Sequence, residues 1–496
     1  MSYKNFFTYF KKNKVVLIFL SLFILSAMLS YIGPVSGDGC WHISASKYIA
    51  KTNKIPFDEP LGRPTYFWPP FLFHLVATFF YKISDVIKLN TVFLILPLSY
   101  LGTLIFTYLI AKEDFNKKIA IFSVLFLGTT PLFLDYSSNY FIEVFLTFFV
   151  TGSIYFARKK KILLSGLFFG LALFSKLNGL FILPVLIYLI YKKKKLQLKP
   201  YLTFMLSSII GLIPYIRNYV LLKNPIWPFL NSIFHGAIGP FADRGLSVDV
   251  NYIQALKTSI LSFFGVPHGT LEYSLERIKS IINIDVSALI YFIFFIEIVI
   301  VAVVLVWGLK YKTKEKTTYF IWILFFIPLQ IIYLFNIGSI FLRYYLPIYP
   351  VIAIFFGIGL YNIMLKYNKH KKIIFFSVLF LFSIFILTVS AKHVVAAISW
   401  NHFQPDFEFI KKNTAPDSLI YYAGQCLTTN TDRYSTTLPE DYSKINKNAI
   451  IFFNADYYIE PQSSLSEPEQ NKIIETTKCT IIYSNKITGT KLCQVG

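Results

Sequence analysis

The chain has 496 residues, of which 15% are charged and 55% hydrophobic, with 52 Phe, 34 Tyr and 6 Trp and a mean hydropathy of +0.56. A soluble domain carries about 25% charged residues, and a water-exposed surface cannot hide this much aromatic side chain, so an ordinary cytosolic protein is excluded and a multi-span membrane protein is expected. The net charge of +22 is spread in short clusters between apolar runs, which reads as a topology signal; no nucleic-acid partner is expected.

Runs long enough to cross a core of about 30 Å fall at Val15–Ile32, Thr91–Ala111, Ile119–Leu134, Asn139–Ala157, Tyr201–Leu222, Val286–Leu309, Thr318–Asn336, Tyr344–Leu365 and Ile373–Val395. The first follows Lys11, Lys12 and Lys14, and Ser36-Gly37-Asp38 is a poor cleavage site, so it is expected to remain as an uncleaved span. Between Arg158–Lys161 and Lys192–Lys195 an apolar stretch is broken at Ser175-Lys176-Leu177-Asn178-Gly179. With both clusters cytoplasmic, that stretch predicts a tight hairpin of two short helices with Lys176 at its outer tip. Pro69–Lys88 is expected to lie along the interface. Half of the 48 Lys and Arg then fall on the cytoplasmic side, in the N-terminus, Lys112–Lys118, Arg158–Lys161, Lys192–Lys199, Lys310–Lys316 and Lys366–Lys372.

The prediction is an α-helical polytopic protein of the cell membrane with about eleven spans, its N-terminus cytoplasmic, within residues 1–395. Segments 33–90 and 223–285 face outside, and 396–496 form a small external α/β domain. In that tail Asp406–Lys412 and Glu467–Thr477 read as helices, the second capped by Ser466, and Leu419–Tyr422, Ala449–Phe453 and Thr480–Tyr483 read as strands. Of the four cysteines, the three late ones (Cys426, Cys479, Cys493) are equally consistent with a disulfide or with buried thiols; no disulfide scaffold or zinc motif is expected to organise the fold.

Asp38, between glycines just after the first span, is the first candidate catalytic residue, since an acid there lies where a lipid head group and a water-soluble acceptor meet. An Asp-Gly pair taken alone is more often a turn, but His42, Arg63 and Trp68 give the same loop a substrate-binding lining. Glu143 enters an apolar helix after an external turn that also carries Asp135; such a carboxylate lines a polar cavity or bonds a neighbouring helix. Lys176, Arg217 and Arg343 are cations on the outer side, against the general charge bias, and a phosphate diester would explain them as well as snorkelling does. Glu297 is the deepest acid.

Gly37-Asp38, Trp68-Pro69-Pro70, Glu143, Gly166–Lys176, Pro214–Tyr219, Asn224–Pro228 and Arg343–Pro350 together resemble the GT-C superfamily of polyprenyl-phosphate-sugar-dependent glycosyltransferases, the class of protein O-mannosyltransferases and lipid A aminoarabinose transferases. Asp38-Gly39 replaces the acid pair of the O-mannosyltransferases, and no Trp-Trp-Asp oligosaccharyltransferase signature occurs. The resemblance implies an inverting transfer of one sugar, hexose or pentose, from a dolichyl- or undecaprenyl-phosphate carrier to an external glycan, lipid or protein acceptor. In that reaction Asp38 is the general base, Glu143 its companion, and Lys176, Arg217 and Arg343 bind the donor phosphate. A divalent metal joining Asp38 to Glu143 is compatible with the pair, although no dedicated ligand cluster is visible and no cofactor is assigned. The competing readings are a polytopic transporter, which would show related halves, and a lipid-linked glycan polymerase or ligase, which would need an acceptor groove.

Overall fold

The computed structural model describes residues 14–35, 37–59, 66–87, 90–239, 287–324, 342–415, 418–421, 426–436, 438–439, 441–453 and 466–496. Helices carry most of the described residues before 402. In chain order they are α1 (Lys14–Ile32), α2 (Asp38–Thr52), α3 (Leu72–Ile87), α4 (Ile95–Asp114), α5 (Lys117–Thr129), α6 (Pro131–Tyr136), α7 (Ile142–Arg158), α8 (Ile162–Ser175), α9 (Leu183–Lys194), α10 (Leu198–Ser208), α11 (Ile213–Leu222), α12 (Ser287–Lys310), α13 (Tyr349–Lys366) and α14 (Lys371–Asn401). Five stretches among the described residues are long and apolar enough to cross a membrane: Lys14–Ile32, Val92–Asp114, Leu198–Leu222, Arg343–Lys366 and Asn368–Ile398. The chain is therefore a multi-pass membrane protein. The expected span Thr318–Asn336 is described only as far as residue 324, and much of the loop 223–285 lies outside the described residues.

Sequence chemistry explains where these helices start. Asn116 caps α5 by accepting from the amides of Lys118 and Ile119, and Pro131 opens α6, which splits the expected run Ile119–Leu134 in two. Hydroxyls along the apolar helices bond the carbonyl four residues back, as Thr103, Thr107, Thr147 and Thr151 do, so they carry no unmet polarity into the interior. α13 packs on α5 and α12, while α7 lies between α4 and α8. Phe126 stacks on Phe356 at 4.0 Å in the core between α5 and α13.

Helix α7 is charged at both ends. Arg158, at its C-terminus, pairs with Asp114 of α4 and with Glu315 at 3.4 Å; Glu315 also accepts from Lys192 of α9 at 3.0 Å. Glu143 stands in its first turn. At 1.5 Å per residue the two ends are roughly 22 Å apart, so the helix separates two charge clusters by most of a bilayer core.

The last part of the chain folds as α15 (Gln404–Asn413), α16 (Cys426–Thr431) and α17 (Glu467–Thr477) with five strands: β1 (Leu419–Tyr421), β2 (Tyr434–Thr436), β3 (Ile450–Phe453), β4 (Thr480–Asn485) and β5 (Thr490–Gln494). The sheet runs β2-β1-β3-β5-β4, with β1 parallel to β2 and β3, and β5 antiparallel to β3 and β4. Phe407, Ile410, Ile420, Phe452 and Leu492 bury its α15 side. Ser466 and Glu469 form a capping box at α17.

All four cysteines are paired, which corrects the expectation that disulfides play no organising part. Cys479–Cys493 closes β4 onto β5, and Cys40–Cys426 joins α2 to α16 across 386 residues.

Candidate active site

Asp38 is the first residue of α2, where the helix dipole favours a carboxylate. Gly37 precedes it at φ +51, a conformation that glycine adopts without a Cβ clash. Gly39 follows it, and a Cβ there would lie 2.7 Å from the Asn139 carbonyl oxygen. The missing side chain lets the first turn of α2 rest on the segment that leads into α7. Tyr140 in that segment is buried and left-handed (φ 57), a conformation that costs about 1–3 kcal/mol and persists only when its surroundings enforce it.

The result is a line of alternating charge. Arg343 Nη2 donates to Asp38 Oδ2 at 2.6 Å, Arg343 Nε lies 3.6 Å from Glu143 Oε1, and Lys176 Nζ donates to the same Glu143 oxygen at 2.6 Å. Two rings hold the cations in place: Phe141 faces the Arg343 guanidinium at 4.7 Å, and Tyr344 lies 4.3 Å from Lys176 Nζ and 5.2 Å from Arg343. Lys176 reaches this point because it sits in extended backbone between α8 and the turn Leu177–Ile182. Arg343 comes from the turn Leu342–Ile348 ahead of α13.

Exposure divides the acids. The Asp38 side chain is 45% accessible and that of Glu143 only 2%. Desolvation raises the Asp38 carboxyl, but Arg343 beside it, helped by Lys176, holds it below the ordinary carboxylate value, so it is ionised at neutral pH. An accessible carboxylate at this point can take a proton, while a buried one can orient its two cations.

Behind Asp38, one turn along α2, His42 shares a hydrogen bond with His74 of α3 (Nδ1 to Nε2, 3.1 Å). Burial pushes His42 down to about 3 despite the pull of Asp38, so it is a neutral ring and adds no positive charge. Arg217 and Trp68 lie elsewhere. Arg217 donates to the carbonyls of Pro56 at 2.6 Å and Phe67 at 2.8 Å; the Trp68 carbonyl accepts from Asn218 at 2.7 Å, and its ring meets Trp227 and Phe229 edge-on. These contacts fasten the first loop to α11. Arg63 lies outside the described residues. Glu297 is buried in α12 with neither carboxylate oxygen hydrogen-bonded among the described residues.

The guanidinium of Arg343 holds the space between Asp38 and Glu143 that a bridging metal would need, so this pair does not fit one.

A second network stands beside the first. Asp135 accepts from Lys392 at 2.6 Å and meets His393 Nε2 at 3.2 Å, and Ser138 Oγ lies 3.0 Å from the same nitrogen. It fastens the segment ahead of Glu143 to α14. The signal was Lys392-His393 inside an apolar run, where a charge needs a reason. Tyr344 and Phe141 carry no such signal in a chain that is 19% Phe, Trp and Tyr.

The family model for dolichyl-phosphate-mannose-protein mannosyltransferases matches residues 69–217. GPI mannosyltransferase 1 of Kluyveromyces lactis is 29% identical over 133 residues, which are 27% of this chain and 32% of that protein. The chain thus spans about a third of the length of the curated relative it matches. The structure of ArnT from Cupriavidus metallidurans bound to undecaprenyl phosphate matches with a TM-score of 0.63 at 11% identity, covering 97% of this chain and 98% of that one. The chain has the GT-C fold. The Archaeoglobus fulgidus oligosaccharyltransferase tethered with an acceptor peptide shares the GT-C fold at a TM-score of 0.53 and 11% identity, over 91% of this chain and 70% of that one. The GT-C resemblance therefore holds in sequence over 69–217 and in fold over nearly the whole chain.

Proposed function

We propose that this protein is a membrane glycosyltransferase that moves a single sugar from a polyprenyl (dolichyl or undecaprenyl) phosphate carrier to an acceptor hydroxyl or amine, with inversion at the anomeric carbon. The observation that carries this reading is the line Asp38–Arg343–Glu143–Lys176 at one end of α7 in a chain with the GT-C fold. A phosphate diester needs fixed cations, and an attacking hydroxyl needs a base beside them.

In the reaction the acceptor oxygen forms a bond to the anomeric carbon while the bond from that carbon to the carrier phosphate breaks. The electron pair stays on the phosphate, and the acceptor proton passes to Asp38. Charge growing on the departing phosphate falls to Arg343 and Lys176, which Glu143 and the two flanking rings hold in position before the donor arrives. The carrier lipid lies among the apolar helices.

The topology that goes with this reading has eleven spans, a cytoplasmic N-terminus, the Asp38 end of α7 outside and the Arg158 end inside. Residues 1–395 are the catalytic membrane unit and 396–496 an external domain. Support comes from the basic clusters gathered near the Arg158 end and from the Cys40–Cys426 disulfide, a bond suited to an oxidising exterior.

The test is a transfer assay with purified protein in detergent, radiolabelled polyprenyl-phosphate hexose and pentose donors, and Asp38→Asn alongside. Donor turnover that vanishes in the variant while donor binding persists is the expected result. Unchanged turnover in the variant sinks the base assignment, and no turnover with any donor by folded protein turns the reading toward transport.

A further inference from the structure

A cavity distinct from the charged line opens where α2, α3 and α16 meet. Its volume is about 400 Å³, within the range of about 300–1,000 Å³ typical of small-molecule sites. Its walls are amphipathic: Tyr81 and Tyr140 offer rings, Asp85 a carboxylate, Lys47 an ammonium, Asn430 an amide oxygen (its Nδ2 donates to the Cys426 carbonyl at 2.7 Å) and Asn90 an amide nitrogen (its Oδ1 accepts from the Val92 amide at 3.2 Å). Amides and a carboxylate beside aromatic faces suit a ligand with many hydroxyls on one side and C–H groups on the other.

Charge argues against a phosphate here. Lys47 is committed to Asp432 at 2.9 Å, and Asp85 contributes the opposite sign, so among the described residues no excess of cations faces the cavity. The lipid-phosphate chemistry belongs with Lys176 and Arg343. What remains is a neutral polyhydroxyl ring.

Position ties this cavity to the reaction. Val35, three residues before Asp38, and Tyr140, three before Glu143, both line it, so it shares two walls with the segments that carry both acids. Its third wall comes from the last part of the chain. Asn430 is carried by α16, which is held to α2 by the Cys40–Cys426 bond and by Asp432, the acid shared between Lys47 of α2 and Lys411 of α15, each at 2.9 Å.

We propose that this cavity is an acceptor subsite that takes one neutral pyranose ring, with the α16 region as its specificity wall. The proposal rests on the glycosyl-transfer reading for its purpose, but the binding it claims is measurable without transfer.

The experiment is saturation-transfer-difference NMR on the full chain in lipid nanodiscs, with methyl α-D-mannopyranoside, methyl α-D-glucopyranoside and methyl β-D-galactopyranoside as probes. Their octyl counterparts form a second arm that separates a lipid-linked glycan from a soluble one, and inorganic phosphate serves as the charged control. At least one methyl or octyl glycoside is expected to bind. Asp85→Ala and Asn430→Ala, both at accessible or half-accessible positions, are each expected to weaken it about tenfold, while Asp38→Asn leaves it unchanged. In a working transfer assay the same two variants raise the acceptor KM and leave the donor KM alone.

Absence of binding by the whole panel overturns the subsite, as does binding that both alanine variants retain or tighter binding of phosphate than of any sugar. Glycoside binding lost only in the alanine variants, in a protein that transfers nothing, keeps the subsite and removes the transferase reading. Transfer insensitive to both variants does the reverse.

Discussion

Arg343 and Asp38, 305 residues apart in the chain, share a 2.6 Å hydrogen bond that couples the turn before α13 to the first turn of α2. The bond keeps Asp38 ionised and at the same time presents a guanidinium beside it. Replacing Arg343 by Lys keeps the charge but removes the fork that reaches both acids. Transfer by Arg343→Lys is expected to fall about 10²- to 10³-fold in kcat, the usual effect of removing one preorganised donor. Steady-state kinetics with a saturating acceptor measures it, and a variant within threefold of wild type contradicts the role.

The same pair sets a pH dependence. A carboxyl whose folded pKa lies below its unfolded value near 3.9 contributes stability that is present above that value and lost as pH falls through the folded one. A base with that pKa is already ionised at pH 5. The acid side of the kcat/KM profile is therefore expected to be flat from pH 7 to pH 5. An acid limb near pH 6 would assign the base to another group.

Lys176 and Glu143 form one ion pair but differ in burial, 22% against 2% side-chain exposure. Lys176→Ala leaves a buried acid that still faces Arg343, and its main expected effect is a 10- to 100-fold rise in donor Kd. Glu143→Ala removes the group that holds both cations, and a broken buried pair costs about 3–5 kcal/mol. Its midpoint of thermal unfolding is expected to fall by several degrees more than that of Lys176→Ala. Equal losses in both assays for both variants would argue that the pair acts only as a structural tie.

Cys40 and Cys426 make a covalent prediction that needs no substrate. After protease nicking between α2 and α16, the N- and C-terminal fragments should migrate together on a non-reducing gel and separate once reductant is added. Cys426→Ser should separate them in both conditions. Fragments that part without reductant rule out the bond.

Asp135 tests the second network. Desolvation raises its carboxyl, but Lys392 and His393 outweigh that and hold it below the ordinary range. Its contribution to stability is therefore present above about pH 4 and lost as pH falls through its folded value. Asp135→Asn removes the charge and leaves Lys392 and His393 facing an amide. A lower unfolding midpoint at pH 7 that stays nearly constant down to about pH 4 and begins to narrow only below it is the expected pattern. A difference that already closes between pH 7 and pH 5 excludes an ionic role for Asp135.

Residues legible in the sequence are charges whose position needs a reason: an acid at the membrane surface just after a span, an acid one turn into an apolar helix, or a cation on the side that the charge bias leaves poor in cations. Asp38 meets the first description, Glu143 the second, and Lys176 and Arg343 the third, and the structure brings those four together. Arg217 is also an outer-side cation but donates to backbone carbonyls, and sequence cannot tell the two uses apart since carbonyl and phosphate oxygens accept from the same donors. The Cys40–Cys426 pairing was illegible, since four cysteines allow three connectivities and only the folded chain chooses among them. Strands β2 (Tyr-Ser-Thr) and β5 (Thr-Lys-Leu-Cys-Gln) lack the run of apolar residues that marks β1 and β3, so nothing in their composition sets them apart from loop.

The four charges of the central line sum to zero, and that balance bears on turnover. In the proposed reaction a donor diester brings one negative charge, and the departing carrier phosphate is a monoester able to carry two. While Asp38 holds the acceptor's proton, the site has a net positive charge and retains the carrier. On that reading, once Asp38 gives the proton to bulk water the four charges again sum to zero, both acids compete with the monoester for Arg343 and Lys176, and the hold on the spent lipid weakens. Proton release from Asp38 would then help clear the site for the next donor.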